Sequence, residues 1–152
     1  MMKEKGGGSV NLEYRAAELS DADCIFRMAK QIIDDYEDTG AIDYVKVLAW
    51  VRRKIEKCIG EYVCVFCDGE KAGYYRLHPE NGKLELDDLY ILPPFQNRGI
   101  GTAVLEKCLA EADCPIFLYV FTRNERAMAL YCRMGFQVTE RVGKTRCIME
   151  HA

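Results

Sequence analysis

The sequence has 152 residues, 49% of them hydrophobic and 30% charged, with a formal net charge of -3 at pH 7. These totals suit one folded domain with a proper core and exclude an intrinsically disordered chain. A weakly acidic balance gives no footprint for nucleic acid, and no apolar run approaches the roughly 20 residues that cross a bilayer.

The stretch Met1–Ser9 (MMKEKGGGS) is charged and glycine-rich and has no apolar segment of the kind a secretory signal carries. It reads as a flexible tail ahead of a single domain over residues 10–152. A reducing cytosol is then the expected compartment, and the eight cysteines are expected to be free. Cys64 and Cys67 lie three apart in a strand-like stretch, so alternation sends them to opposite faces, and no second pair follows at zinc-ligand spacing. No metal site is expected.

Val10 to Ala17 reads as a short strand. Ser20-Asp21-Ala22-Asp23 resembles a capping box and opens a helix with Ile25, Met28, Ala29, Ile32, Ile33 and Tyr36 along one face. Residues 34–43 (DDYEDTGAID) interrupt it, and a second helix carries the stripe Tyr44, Val47, Leu48, Val51, Ile55, Cys58 and Ile59. Trp50 falls about 120° off that stripe. It is a candidate to cover another helix, line a substrate pocket or meet a partner.

Glu61–Cys67 and Lys71–His78 form a predicted hairpin around Asp68-Gly69-Glu70, and a turn at Pro79–Lys83 leads to a strand over Leu84–Leu92. A third helix follows, with Ile100, Val104, Leu105, Cys108 and Leu109 at helical spacing. Pro115–Thr122 (PIFLYVFT) is almost continuously apolar, as for a strand buried on both faces. A fourth helix over Asn124–Met134 stops at Gly135, and a hairpin around Gly143 closes the chain. The order β-α-α-β-β-β-α-β-α-β-β is α/β with a mixed sheet, in which a helix joins strands 4 and 5 and makes them parallel.

The turn after Leu92 carries Gln96-Asn97-Arg98-Gly99-Ile100-Gly101-Thr102 at a strand-to-helix junction. A helix N-terminus presents unpaired N–H groups and the positive end of the dipole, and glycines let an anion approach them. A Walker A loop requires lysine after its last glycine, where Thr102 stands. A dinucleotide fingerprint requires Gly or Ala where Val104 stands. What fits is Gln-x-x-Gly-x-Gly after a strand ending in proline. Over Val10 to His151, in motif and in element order, the chain resembles the GNAT superfamily of acetyl-CoA-dependent N-acetyltransferases. Gln96, Arg98, Gly99 and Gly101 match its pyrophosphate loop. Asn124, Ala127, Leu130, Tyr131, Gly135 and Phe136 in "NERAMALYCRMGF" match its second hallmark.

The resemblance implies strands 4 and 5 that splay to admit the pantetheine arm of acetyl-CoA. Main-chain groups near Tyr90, Ile91 and Leu92 would pair with that arm, and the N–H groups from Arg98 through Gly99, Ile100 and Gly101 to Thr102 would hold the pyrophosphate. Asn97 sits within the same loop, Asn124 would hydrogen-bond the pantetheine, and Ala127 would line its channel. Tyr131 stands where the family places the general acid for the departing sulfur, and Glu85 where some members carry a catalytic glutamate. A core tyrosine and a solvated sheet edge are the alternatives for those two residues. Asp87 and Asp88 are expected on the substrate side. His78, before Pro79 at a strand end, is a candidate to lie near the pocket, but neither it nor His151 in the tail receives a catalytic role, and Cys132, beside Tyr131 on a helix, points about 100° away from it. Direct attack in a ternary complex is therefore expected over a cysteine-linked route.

The inter-helix segment holds Asp34, Asp35 and Tyr36, with Glu37, Asp38, Asp43 and Tyr44 close by, a rim suited to a cationic amine or simply a solvated acidic loop. The expected reaction is acetyl transfer from acetyl-CoA to a primary amine, on a small cationic molecule. The alternatives are a lysine or N-terminal amine of a protein or peptide, and a non-catalytic acetyl-CoA-binding module. Many relatives dimerise, and Trp50 could contribute to a homodimer contact, but the sequence does not set the oligomeric state.

Overall fold

A computed structural model describes residues 11–152. The tail expected over residues 1–9, and Val10 at the start of the first strand, lie outside those residues. The elements run β1 (Leu12–Ala16), α1 (Ala22–Tyr36), α2 (Tyr44–Lys57), β2 (Tyr62–Cys67), β3 (Glu70–Glu80), β4 (Lys83–Ile91), α3 (Ile100–Glu111), β5 (Ile116–Phe121), α4 (Glu125–Arg133), β6 (Gln137–Val142) and β7 (Arg146–His151). One seven-stranded sheet has the order β1-β2-β3-β4-β5-β7-β6, antiparallel except where β4 meets β5. This is the element order and the mixed sheet expected from the sequence.

Each face of the sheet has its own core. On one side α1 and α2 bury Ile25, Ala29, Val51 and Ile55 against Tyr62, Cys64 and Tyr74. On the other, α3 buries Ile100, Val104, Leu105 and Cys108 against Val65, Leu86, Ile116 and Leu118, with α4 packed alongside. Cys64 and Cys67 fall in different cores, as alternation requires, and all eight cysteines are free thiols. The capping box forms two residues earlier than expected. The Asp21 carboxylate accepts from the Glu18 amide at 2.8 Å, and Glu18 to Asp21 makes a single 3-10 turn ahead of α1. Asp21 also accepts from Lys71 and from the Tyr74 hydroxyl, at 2.7 Å each, which ties this turn to β3.

Two hairpins set the register of the central strands. Asp68-Gly69 and Asn81-Gly82 all have positive φ, the geometry of tight two-residue turns that match the twist of paired strands. The second turn places His78 opposite Glu85 and Arg76 opposite Asp87. The register then shifts, because Tyr75 spans Asp88 and Leu89, and Asp88 adopts a φ of +59° at the bulge. Gly73 is needed just beyond, since a Cβ there would stand 2.3 Å from the Tyr90 carbonyl oxygen.

Strands β4 and β5 pair only at Leu84 with Ile116 and Glu85 with Phe117. Beyond Glu85 they diverge, and the sheet opens into a cleft. One expectation fails here. β5 is not buried on both faces, because Tyr119 is 44% exposed while Leu118 and Val120 are buried. With β4 bent away, the face carrying Tyr119 looks into the opening.

Candidate active site

The glycine turn occupies one end of the cleft. Gly99 caps α3 in the left-handed conformation, φ +80°, and a Cβ built on it would meet nothing within 4 Å. The first bond of the helix runs from the Ala103 amide to the Gly99 carbonyl at 3.0 Å. The amides of Ile100, Gly101 and Thr102 therefore have no acceptor within the helix and no side-chain cap. Arg98 lies over the Phe95 ring, 5.2 Å from its centroid, and Arg126 of α4 donates to the Asn97 side chain, tying α4 to the turn. Gln96 serves the scaffold: its side-chain amide donates to the Ile91 carbonyl at 2.9 Å. A cavity of about 700 Å³ extends from this turn between α1 and α4. The bare amides, the open space at Gly99 and the nearby cation fit a diphosphate.

The end of β4 divides its main-chain groups between two neighbours. The Leu92 amide donates to the Ala72 carbonyl at 2.8 Å, so Leu92 is committed to β3. Alternation turns the Ile91 amide the other way, toward the gap with β5. Of the three residues expected to pair with a cofactor arm, Ile91 has the available N–H. Asn124 caps α4 by accepting from the Ala127 amide at 3.2 Å.

A second cavity, of about 480 Å³, lies deeper along β4 and is lined by residues of α1, α2, β3, β4 and β5. Its polar wall holds Lys54, Arg76, His78, Glu85, Asp87 and Asp88. Adjacent residues of a regular strand point apart, yet the bulge lets Asp87 and Asp88 face the same ammonium, at 3.1 and 3.2 Å from Lys54 Nζ. Asp88 also accepts from the hydroxyls of Tyr62 and Tyr90, and Arg76 bridges Asp87 to Glu61. Burial works to raise the Asp88 carboxyl, but Lys54 and the two hydroxyls outweigh it and hold it below the usual carboxylate range. Asp87 is pushed upward by burial and by Asp88, against the pull of Lys54.

Glu85 is different. Its side chain is 17% exposed, and His78, with Nε2 3.3 Å from Oε1, is the one basic side chain within 4 Å of it among the described residues. Burial, followed by the nearby charge of Asp87, raises its carboxyl above the ordinary range.

The two cavities share Ile32, Leu89, Tyr90, Asn124, Ala127 and Tyr131 as lining residues. Tyr131 packs edge-on against Phe136, and burial pushes its hydroxyl up to about 12. It is therefore protonated at neutral pH, at the point where the phosphate-fitting cavity meets the acidic one.

The acidic inter-helix rim is placed elsewhere. Asp34 accepts from Lys30 and from the Tyr44 hydroxyl and lines neither cavity. Asp35 and Tyr36 line the glycine-turn cavity instead. Helical phase explains the split, because the flank of α1 that carries Met28, Ile32 and Tyr36 faces the cleft. Trp50, 57% exposed, lines the acidic cavity, with Lys54 Nζ 5.9 Å from its ring centre. Sequence reasoning gave no site role to Lys54, Arg76 or Tyr62, and placed His78 near the pocket without a catalytic role. A signal existed for His78, since the Asn81-Gly82 turn fixes its register opposite Glu85.

Residues 25–136 match the family model described as acetyltransferase (GNAT) family. An uncharacterized N-acetyltransferase of Mycobacterium tuberculosis is 33% identical over 76 residues, 47% of this chain and 49% of that protein. The spermine/spermidine N(1)-acetyltransferase of Bacillus subtilis is 35% identical over 88 residues, 49% of this chain and 58% of that protein. These alignments thus span about half the length of the curated relatives. Among solved structures, the PaiA N-acetyltransferase of Thermoplasma acidophilum in complex with coenzyme A superposes with a TM-score of 0.70 at 22% identity, covering 93% of this chain and 98% of that one. The family match takes in the cleft from α1 to the end of α4, so the glycine turn and the Asn124–Phe136 segment are parts of one known architecture. This chain belongs to the acetyltransferase (GNAT) family.

Proposed function

We propose that the protein transfers an acetyl group from acetyl-CoA to a primary amine on a small cationic molecule, by direct attack in a ternary complex. The observation that carries this reading is the position of Tyr131, shared by the cavity at the glycine turn and the cavity that holds Glu85. Acetyl-CoA supplies the activated acyl group. The chain holds the diphosphate on the amides of Ile100, Gly101 and Thr102, with Arg98 beside them, and lays the pantetheine arm along the Ile91 amide, Asn124 and Ala127. The oriented Ile91 N–H is the group on β4 able to polarise the thioester carbonyl.

An ammonium has no lone pair, so the acceptor must lose a proton before it attacks. Glu85 takes that proton, directly or through water, and its raised carboxyl matches the task. Tyr131 gives its proton to the departing thiolate and regains one from the acceptor nitrogen as the amide forms. Asp87 and Asp88 are already engaged by Lys54 and Arg76, which leaves Glu85 as the carboxyl of this cavity able to meet a cation. Trp50 and Tyr119, both exposed at the mouth, offer aromatic faces to an alkylammonium chain. The Bacillus subtilis relative, named for spermine and spermidine, supports the same class of acceptor.

The test is thiol release from acetyl-CoA against polyamines, aminoglycosides, amino acids and peptides. Turnover confined to small polycations is the expected result. Preferential acetylation of peptides would replace it with protein N-acetylation, and coenzyme binding without turnover would make the chain a binding module.

A further inference from the structure

Proton balance raises a question that the two groups above leave open. An acceptor ammonium brings three protons, the amide product keeps one and the thiol leaves with one. The third must reach solvent from a cavity in which Glu85 is largely enclosed.

The molecule supplies a route. His78 stands opposite Glu85 across β3 and β4, and its side chain is 15% exposed. Its Nε2 atom is buried, lies 3.3 Å from Glu85 Oε1 and has no hydrogen-bond partner. Its Nδ1 atom lies 3.9 Å from Glu80 Oε1, and Glu80 is 49% exposed at the end of β3. An imidazole flanked by carboxylates on both nitrogens can accept a proton on one side and release one on the other. A buried ring nitrogen left without a partner is costly, so a purely structural histidine would be expected to satisfy it.

We propose that Glu85, His78 and Glu80 form a relay that carries the acceptor's proton from the cavity to the surface. This inference rests on the acetyl-transfer reading above. The N–H bond of the ammonium breaks and an O–H bond forms on Glu85. Glu85 passes that proton to Nε2 of His78, whose Nδ1 proton leaves toward Glu80 and water, and a flip of the neutral ring that takes Nε2 out of its buried position lets that nitrogen lose its proton to water and restores the starting tautomer. His78 and Glu80 are thus positioning and relay residues rather than catalytic ones. The other charged groups facing the relay are Arg76 on β3, Asp87 on β4, Lys54 on α2 and Arg146 on β7.

The experiment is a pH–rate profile with acetyl-CoA and spermidine for the wild type, His78→Gln, His78→Ala and Glu80→Gln. Both His78 variants are expected to lose about tenfold or more in kcat with KM for acetyl-CoA unchanged, and imidazole should partly rescue His78→Ala. Glu80→Gln is expected to lose about threefold, with the same KM pattern. Wild-type rates in His78→Gln across the whole pH range would overturn the relay. So would a divalent metal that copurifies with His78, Glu80 and Glu85 and whose removal by a chelator abolishes turnover. If the wild type acetylates no amine, the functional reading fails, and ring NMR of His78 then tests the relay alone. A shift of its Nε2 resonance in Glu85→Gln and of Nδ1 in Glu80→Gln would uphold the coupling, and unmoved resonances would refute it.

Discussion

Asp21 at the start of α1 and Glu85 at the narrow end of the cleft are both carboxyl groups withdrawn from water, and their surroundings differ sharply. Asp21, 4% exposed, accepts from Lys71 and Tyr74 at 2.7 Å each and from the Glu18 amide at 2.8 Å. Burial alone would raise its carboxyl, but those three donors reverse the effect and hold it below the usual range. Glu85 has a histidine nitrogen within reach but out of line, and its carboxyl is raised. A buried acid with a full set of donors locks two elements together, here α1 to β3. A buried acid left short of donors keeps an affinity for protons that chemistry can use.

The largest effect expected along this line is on turnover. Tyr131→Phe removes the hydroxyl proposed to protonate the leaving sulfur and should lower kcat about 100-fold, with coenzyme A affinity within about twofold. Single-turnover kinetics and calorimetry separate the two quantities, and an unchanged kcat would remove the acid from the scheme.

Asp21→Asn should destabilise the fold by about 2–3 kcal/mol, because Lys71 and Tyr74 then share a weaker acceptor at a buried site. The sign with pH follows from the lowered carboxyl. The stabilisation from Asp21 is present above its unfolded value of about 3.9 and is lost as pH falls through the folded value. Urea melts of the two proteins should therefore converge under acid conditions and differ fully at pH 7.

Gly99→Val probes the other end of the cleft. The position is open, so the fold should survive, but a branched side chain at φ +80° strains the turn and covers the bare amides. Coenzyme A affinity should fall about tenfold, and unchanged affinity in calorimetry would contradict the phosphate assignment.

The smallest effect sharpens the comparison most. Because the Glu85 carboxyl is raised in the folded state, its favourable contribution exists below its unfolded value of about 4.3 and is lost as pH rises through the folded value. Glu85→Gln removes a group that costs stability at neutral pH. The variant should be as stable as the wild type at pH 7, or more stable by up to about 1 kcal/mol, while losing turnover. Destabilisation comparable to Asp21→Asn would place Glu85 among the structural acids.

Much of this arrangement was legible in local sequence. The stripes on α1, α2 and α3 gave the helices their buried faces, and Gly99 with Gly101 marked the turn into α3, because helical phase and the freedom of glycine act within a few residues. The Asn81-Gly82 turn likewise fixes His78 against Glu85, a pairing that the position of His78 before Pro79 did not by itself reveal. Lys54 could not be seen in this way. It reaches Asp87 and Asp88 from a helix more than thirty residues earlier, and nothing in its own neighbourhood marks it as part of a cavity.

By itself the sequence determined the order of elements, the parallel crossing of β4 and β5, the glycine turn and the family, since each rests on short-range periodicity, turn chemistry or contiguous motifs. Tertiary structure alone decided where the acids point. The bulge at Asp88 reverses the alternation of β4 and brings two neighbouring carboxylates onto one lysine, and the early parting of β4 from β5 exposes a strand whose composition reads as buried. Both outcomes arise from competition among strands and helices far apart in the chain, and no local rule contains that competition.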